Sequence, residues 1–405
     1  MRILIAGAGI AGLTLARAIR PLDHTVDVVD RSPAFNPAGV GIVLHPNGME
    51  VLDWLGLSGE ATAGGNIIRQ MELIRGESTL TLSLAEIWKG TGRPTVAILR
   101  TELHRLLWCS AFTPEQPGLS LRMGCPVTAV EQPESQPVAH FEDGSAASYD
   151  LIVGADGVHS GIRRSLFPNS AAFSTQLLYF RFPARNVIHL APETWRTVER
   201  PGASYGFIPV GQDLLHCFVQ LRTDRNPCGP GEEESYFRET FGPWDPALAQ
   251  TLAARCGPIH VGFAYMVRPP AWGRGACVLL GDAAHAVSPT LSEGGSLAME
   301  DALILSMALR QATSVVEAIE LYRSAREGRV AWVHRMALAQ VNAARPDRPQ
   351  SRVTSEIATQ HMRRMYHPLR RSLLSGIVVP GTPLPKLDLS QSATQSIEKG
   401  VTTNG

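Results

Sequence analysis

The sequence predicts an α/β protein: a Rossmann-like unit with an antiparallel sheet inserted into it and helices toward the C-terminus. Three observations carry this reading. The apolar run Ile3–Ala6 leads into Gly7-Ala8-Gly9-Ile10-Ala11-Gly12, a glycine turn between a strand and a helix. Two further apolar runs, Tyr149–Gly154 and Ala276–Leu280, also lead into glycines, as strands buried on both faces of a parallel sheet do. Between those runs, residues 173–270 alternate aromatic and polar side chains, as in Tyr179-Phe180-Arg181-Phe182 and His216-Cys217-Phe218. That period of two belongs to antiparallel strands.

In order along the chain, Ile10, Leu13, Ala16 and Ile19 recur at helical spacing, and Thr25–Asp30 reads as a second strand. Residues 48–57 and 101–110 read as helices, and 66–84 as alternating strands. Residues 125–153 hold short strands with a turn at Asp143-Gly144. Helices are expected at about 296–312, 314–342 and 352–376. The Pro-, Ser- and Thr-containing tail is expected to be mobile.

Composition narrows the function classes. At about 150 residues per domain, 405 residues suggest two to three domains. Lys+Arg and Asp+Glu are both 37, so no bulk charge favours nucleic acid or an anionic membrane. The six cysteines (Cys109, Cys125, Cys217, Cys228, Cys256 and Cys277) form no CxxC pair and no zinc-spaced cluster. They read as free thiols of a reducing, cytoplasmic compartment. The apolar N-terminus is broken by its glycines and followed by Arg17 and Arg20, so it reads as strand plus helix rather than as a targeting signal. No uninterrupted apolar run reaches transmembrane length.

The glycine turn carries the first functional signal. Gly7 permits a tight turn, Gly9 lets a pyrophosphate approach the backbone, and Gly12 lets the helix lie close to the strand. The helix N-terminus adds free N–H groups and a positive dipole. Asp30 ends the second strand, where a carboxylate would accept from ribose hydroxyls. This fits the AMP half of FAD or of NAD. Two later motifs favour FAD: Gly154-Ala155-Asp156-Gly157, with His159, Ser160 and Arg163 behind it, and Gly281-Asp282-Ala283-Ala284-His285, followed by Pro289 and Gly294-Gly295. Three strand-end motifs suit one extended ligand. Asp282 would take ribityl hydroxyls, and the helix opening near Ser296 would aim its dipole at an anionic flavin.

With these motifs, GVGIVLHPNG (39–48) and Arg100 in ILRTELHRLL, the chain resembles the single-component FAD-dependent aromatic hydroxylases of the p-hydroxybenzoate hydroxylase type over about residues 2–340. The resemblance implies a discontinuous FAD-binding domain (1–70, 96–172 and 272–345) and a substrate domain (71–95 with 173–271). A C-terminal helical segment (346–380) and a mobile tail (381–405) would follow. It implies cofactor contacts from Gly7, Gly9, Ile10, Ala11, Gly12, Asp30, Arg31, Gly41, Arg100, Asp156, Gly281, Asp282, Ala283, Pro289, Gly294, Gly295 and Ser296. Arg100 would contact the phosphate–ribityl region, and Pro289 would lie beside the isoalloxazine.

The implied reaction uses NADH or NADPH as a transient donor and O2. A flavin C4a-hydroperoxide would hydroxylate or epoxidise a small aromatic, quinolone or polyketide-like substrate. A reductase or dehydrogenase of the same fold is the alternative. Tyr179, Arg181, Tyr205, Phe207, His216 and Phe218 are candidate pocket residues, each also readable as sheet core or solvent face. His45 is a candidate base, or a structural residue before Pro46. The usual Gly-Gln-Gly-x-Asn loop here reads Ser292-Glu293-Gly294-Gly295-Ser296. Ser292 would restrict φ, and Glu293 would either point to solvent or oppose flavin reduction if ionised. The 352–376 helix presents Arg352, Arg363, Arg364, Arg370 and Arg371 opposite Met362, Met365, Leu369, Leu373 and Leu374. It reads as a solvated face or a contact in a homodimer, or as a weak membrane-surface contact of a monomer.

Overall fold

The computed structural model describes residues 1–371, apart from 21, 36–38, 113–117, 268–271 and 344–353. Its first sheet is built around Arg2–Ala6, whose Ile3, Leu4 and Ile5 are fully buried. The strand order is Gly273–Arg274, Cys277–Leu279, Leu151–Gly154, Arg2–Ala6, Thr25–Asp30, Leu119–Met123. All neighbours are parallel except the first pair. The chain leaves Arg2–Ala6 toward Thr25–Asp30 on one side and is joined by Leu151–Gly154 on the other. This makes a topological switch point, where ligands bind beyond the carboxyl ends of the strands. Gly7, Asp30, Gly154 and Gly281 all stand at that edge.

The second sheet has seven strands: His260–Val267, Ala172–Arg185, Leu214–Arg222, Ala203–Pro209, Thr194–Arg200, Gln70–Arg75 and Ser78–Ser83. Only Thr194–Arg200 and Gln70–Arg75 run parallel. Register assigns its faces. Arg181 lies opposite Phe218 and Phe218 opposite Gly206, while Phe182 lies opposite Cys217 and Cys217 opposite Phe207. The second set, with Phe180, Tyr205 and Val219, forms a closed core with Phe237, Phe241, Leu248 and Leu252 of the helices Glu233–Thr240 and Pro246–Ala253. The first set faces the parallel-sheet core.

Two three-stranded antiparallel sheets complete the strands: Ala146–Ser148, Val138–Phe141, Val127–Glu131, and Gly41–Leu44, Thr95–Leu99, Asn66–Ile68. The expected turn at Asp143-Gly144 joins two of them, with Gly144 at φ 81° and Ser145 N–H donating to Asp143 Oδ1 at 2.9 Å. The helix Gly294–Gln311 packs on Ile10–Ala18, Pro46–Leu55 and Val315–Ala343.

The C-terminal helix Ser355–Met365 lies on the hairpin edge. Thr81 N–H donates to Ser355 Oγ (3.0 Å) and Ser83 N–H to Thr359 Oγ1 (3.2 Å). The single helix expected here breaks at Tyr366 into Ser355–Met365 and a short helix His367–Arg370; Met362 and Met365 of the first pack on the main core, and Leu369 of the second is buried. Those three side chains are therefore not available for membrane insertion. Leu373, Leu374, Arg352 and the tail 381–405 lie outside the described residues. Among the described residues, no helix is long and apolar enough to cross a membrane.

Candidate cofactor and substrate site

The glycine turn forms for steric reasons. At Gly7 (φ +113°) a Cβ would sit 2.2 Å from Ala155 O. At Gly12 it would sit 1.9 Å from Gly7 O, so only glycine allows the helix this close to the turn. At Gly9 a Cβ would meet no protein atom within 4 Å. Backbone there borders open space at a helix N-terminus, the shape and polarity a pyrophosphate needs. Asp30 closes the turn: Ala8 N–H donates to its Oδ2 (2.7 Å) and Ser32 N–H to its Oδ1 (2.8 Å). Each oxygen keeps a lone pair for a ribose hydroxyl.

Arg100 opens the helix Arg100–Ala111 beneath Gly39, where a Cβ would lie 2.8 Å from Arg100 Cδ. Its charge reaches Asp282, His104 and Arg181. His104, one turn further along the same face, has Nε2 2.7 Å from Ala8 O. That i, i+4 pairing is the signal by which His104 could have been found in the sequence.

Asp156 turns inward: its Oδ2 accepts from Gly161 N–H (2.7 Å) and Ile162 N–H (3.2 Å), capping the next helix. Buried Arg163 joins the two later motifs, donating to Ala283 O (2.8 Å) and Val158 O (2.6 Å). The sequence carried Arg163 without its role, since one arginine beside a glycine motif reads as exposed. Asp282 and Pro289 are exposed at the carboxyl edge, in the crevice outside the strand ends that forms the candidate ligand groove. Although Asp282 keeps accessible surface, the protein crowded around its carboxyl raises the carboxyl pKa, against His285, Arg100 and Arg163.

Of the six pocket candidates, four converge. Tyr179 donates to Gln220 Oε1 at 2.6 Å and lies against Ser288. The Arg181 guanidinium stands 5.0 Å from the Tyr179 ring centroid. Gly41 N–H donates to His216 Nδ1 at 3.1 Å, which leaves the ring proton on Nε2. Burial and neighbouring Arg181 hold this ring neutral, with its pKa lowered to about 3. His216 stacks on Phe218 at 5.9 Å, and Gly206 makes room for that ring: a Cβ there would lie 2.8 Å from Phe218 Cζ.

Tyr205 and Phe207 do not join them. Their register puts them on the opposite face, where the Tyr205 hydroxyl donates to Asp245 Oδ2 at 2.9 Å. His45 is likewise enclosed in packing. Its ring is buried 5.1 Å from Trp88 and 6.2 Å from Tyr366, with Nδ1 3.4 Å from Thr95 Oγ1 and a hydrogen bond to the Leu291 backbone. Burial lowers its pKa to about 4, so it is a neutral packing residue rather than a poised base.

Comparison with known proteins decides the family. Residues 1–337 match the family described as FAD binding domain. The chain belongs to this FAD-binding family. It is an FAD-dependent oxidoreductase. It is 30% identical to 3-amino-4-hydroxybenzoate 2-monooxygenase of Streptomyces cremeus, over 83% of this chain and 86% of that protein. It is 29% identical to the FAD-dependent urate hydroxylase of Klebsiella pneumoniae, over 82% and 87%. The fold matches the crystal structure of Klebsiella pneumoniae HpxO complexed with FAD and uric acid, with a TM-score of 0.80 at 24% identity, over 94% and 98% of the two chains.

For FAD, the loop before Gly294–Gln311 is the unusual part. Gly294 borders Asp282, with a Cβ there 3.9 Å from Oδ1, and Gly295 borders Ile42 and Ile10. The helix N-terminus therefore stands beside Asp282. Ser292 is held at φ 55°, ψ 27°, the left-handed region the family fills with glycine. Ser292→Gly is expected to stabilise the protein by about 0.5–1 kcal/mol, the relief of left-handed strain less glycine's greater backbone entropy. A higher denaturant midpoint at unchanged slope would show it. Glu293 does not reach solvent: it is fully buried, with Oε2 accepting from Asn47 Nδ2 at 2.9 Å.

Proposed function

We propose that this protein is a monooxygenase that hydroxylates a small planar aromatic carrying an acidic group, with NADH or NADPH as electron donor and O2 as co-substrate. One observation supports the acidic group. Arg181 is partly buried on the sheet face toward the groove, and its Nε has no hydrogen-bond partner among the described residues. Desolvation lowers its pKa, yet an arginine stays charged. A desolvated cation with no carboxylate partner among the described residues suits an anionic ligand. Two relatives are named for acidic aromatics, 3-amino-4-hydroxybenzoate and urate, and a third for a quinolone, 2-heptyl-3-hydroxy-4(1H)-quinolone synthase of Pseudomonas aeruginosa.

Bound FAD, once reduced, supplies the activation of O2. The chain's own residues do the rest. Phe218 and Tyr179 offer flat apolar surface for a ring and exclude water. Arg181 orients the acidic substituent, and His216 Nε2–H is a neutral donor for a carbonyl or hydroxyl oxygen. Asp282, Arg100 and the Gly7–Gly12 turn would hold the cofactor.

The test is NAD(P)H oxidation across paired aromatics with and without a carboxylate, under 18O2. The expected result is one labelled oxygen in the product and faster turnover of the acidic partner. Product without label would establish the reductase or dehydrogenase reading instead. Arg181→Gln should lower kcat/KM for the acidic partner roughly 10–100-fold and leave the neutral one near wild type, as loss of a charge-assisted hydrogen bond predicts. Equal loss for both would end the assignment of Arg181 to the acidic group.

A further inference from the structure

The loop Ser292–Gly295 puts a carboxyl group beside a helix N-terminus that borders the FAD groove. What that carboxyl does depends on its counter-ions. Two buried or near-buried guanidiniums lie close by. Arg326 donates to Glu300 Oε2 and, at 2.7 Å, to Asp301 Oδ1. Arg329 donates to Glu300 Oε1 at 2.7 Å, and to the backbone carbonyls of Pro368 (2.9 Å) and Leu369 (3.3 Å). Two cations thus face two carboxylates, Glu300 and Asp301. His285 Nε2 stands 2.5 Å from Asp301 Oδ2.

Glu293 is left over. Its Oε2 receives one neutral amide hydrogen bond, from Asn47, whose Nδ2 also donates to Glu300 Oε1 at 3.0 Å. Its Oε1 is buried with no partner among the described residues. Among the described residues, the other groups beside it are the Tyr366 hydroxyl from the C-terminal segment and the neutral His45 ring that contacts Tyr366. The helix dipole favours an anion at this position. A fully desolvated charge without a counter-ion costs several times more than a dipole returns.

We propose that Glu293 occupies this site as the neutral acid, and that its ionisation is a switch that disfavours reduction of the bound FAD. As the acid, Glu293 leaves the positive end of Gly294–Gln311 free to favour the anionic reduced flavin. Loss of its proton to solvent puts a negative charge at that same helix end. The network agrees in direction: desolvation first, then the Glu300 charge, raise the Glu293 pKa to about 8, against Asn47, Arg329 and Arg326. The sign follows. Below this pH the acid is present and reduction is favoured. As pH rises through it, the reduced form loses stability.

The inference rests on FAD binding and not on the substrate assigned above. Two measurements test it. In the holoenzyme, a spectroelectrochemical titration should show the FAD midpoint potential bending downward as pH rises through about 8, and Glu293→Gln should abolish the bend while retaining FAD. In protein freed of FAD, infrared difference spectroscopy should show a protonated-carboxyl band at neutral pH that disappears in Glu293→Gln and at high pH. This second arm reads Glu293 even where the variant binds FAD poorly. An unchanged potential profile in Glu293→Gln, or no protonated carboxyl assignable to Glu293, overturns the proposal.

Discussion

Gly9→Val is expected to fold normally and lose FAD, whereas Gly12→Ala is expected to lose both fold stability and FAD. The two positions lie three residues apart in one motif and differ in what surrounds them. Gly9 has φ −81° and ψ −170°, extended backbone open to any residue, and no protein atom within 4 Å of an added Cβ. A valine there strains nothing in the protein itself. Its methyls project into the space beside the helix N-terminus that the pyrophosphate needs. The expected loss of FAD affinity is at least about 100-fold, or roughly 3 kcal/mol. Gly12 instead meets Gly7 O at 1.9 Å and Ile5 Cγ2 at 3.2 Å, so a methyl must push helix and turn apart. That overpacking costs about 3 kcal/mol or more. Flavin absorbance of the purified variants, FAD titration by fluorescence, and thermal melts read by circular dichroism separate the two effects. Wild-type FAD affinity in Gly9→Val would place the pyrophosphate somewhere other than this turn.

The contrast between those glycines explains much of what the sequence could reveal. Glycine spacing, the apolar runs at 3–6, 151–154 and 277–279, and an acid at the end of Thr25–Asp30 are local signals. Each corresponds to a local steric or polar need at the carboxyl edge of the parallel sheet, so that edge was legible. Period-two alternation likewise showed that Tyr179 and Arg181 share one face and that His216 and Phe218 share one. It did not show which face of each strand meets the groove. That depends on cross-strand register, which joined Phe218 to Arg181 and Phe207 to Cys217, and so divided the six aromatic and polar candidates into two faces. His45 was illegible for a related reason. Its surroundings come from Trp88 and Tyr366, far away in sequence, and no local pattern announces them.

Buried charge was the least legible feature. Glu300, Asp301 and Arg326 read by type as solvated residues, yet all three are fully buried. Glu300 and Asp301 are adjacent on one helix and Arg326 comes from the next, so only the helix–helix packing makes them partners. Hydropathy, which treats each residue alone, cannot express this. The same blindness left Glu293 between two opposite readings, solvent or flavin repulsion, until its missing counter-ion was visible.

Arg326→Met should be the most destabilising of the substitutions that leave the groove untouched. Arg326 bonds Glu300 and Asp301 together, and Asp301 in turn holds Gly281 N–H at 2.8 Å and His285. Methionine fills much of the space but leaves two buried carboxylates sharing Arg329 and His285. Breaking a buried ion pair from one side costs about 3–5 kcal/mol, which for a chain of this size lowers the thermal midpoint by roughly 5 °C. The pH dependence fixes the cause. Glu300 and Asp301 both have folded pKa values below their ordinary ones, through Arg329 and Arg326 for Glu300 and through His285 and Arg326 for Asp301. Their stabilisation is therefore present above the ordinary carboxylate range and lost as pH falls through the folded values. The wild-type advantage over Arg326→Met should be largest near neutral pH and shrink on acidification. Adding Asp301→Asn to Arg326→Met removes one uncompensated charge and should recover part of the loss, unlike independent sites, whose losses add. Chemical denaturation of the three proteins at neutral and acidic pH measures both effects. A deficit that is constant with pH would mean that Arg326 acts through packing volume, and the charge balance on which Glu293 depends would have to be drawn differently.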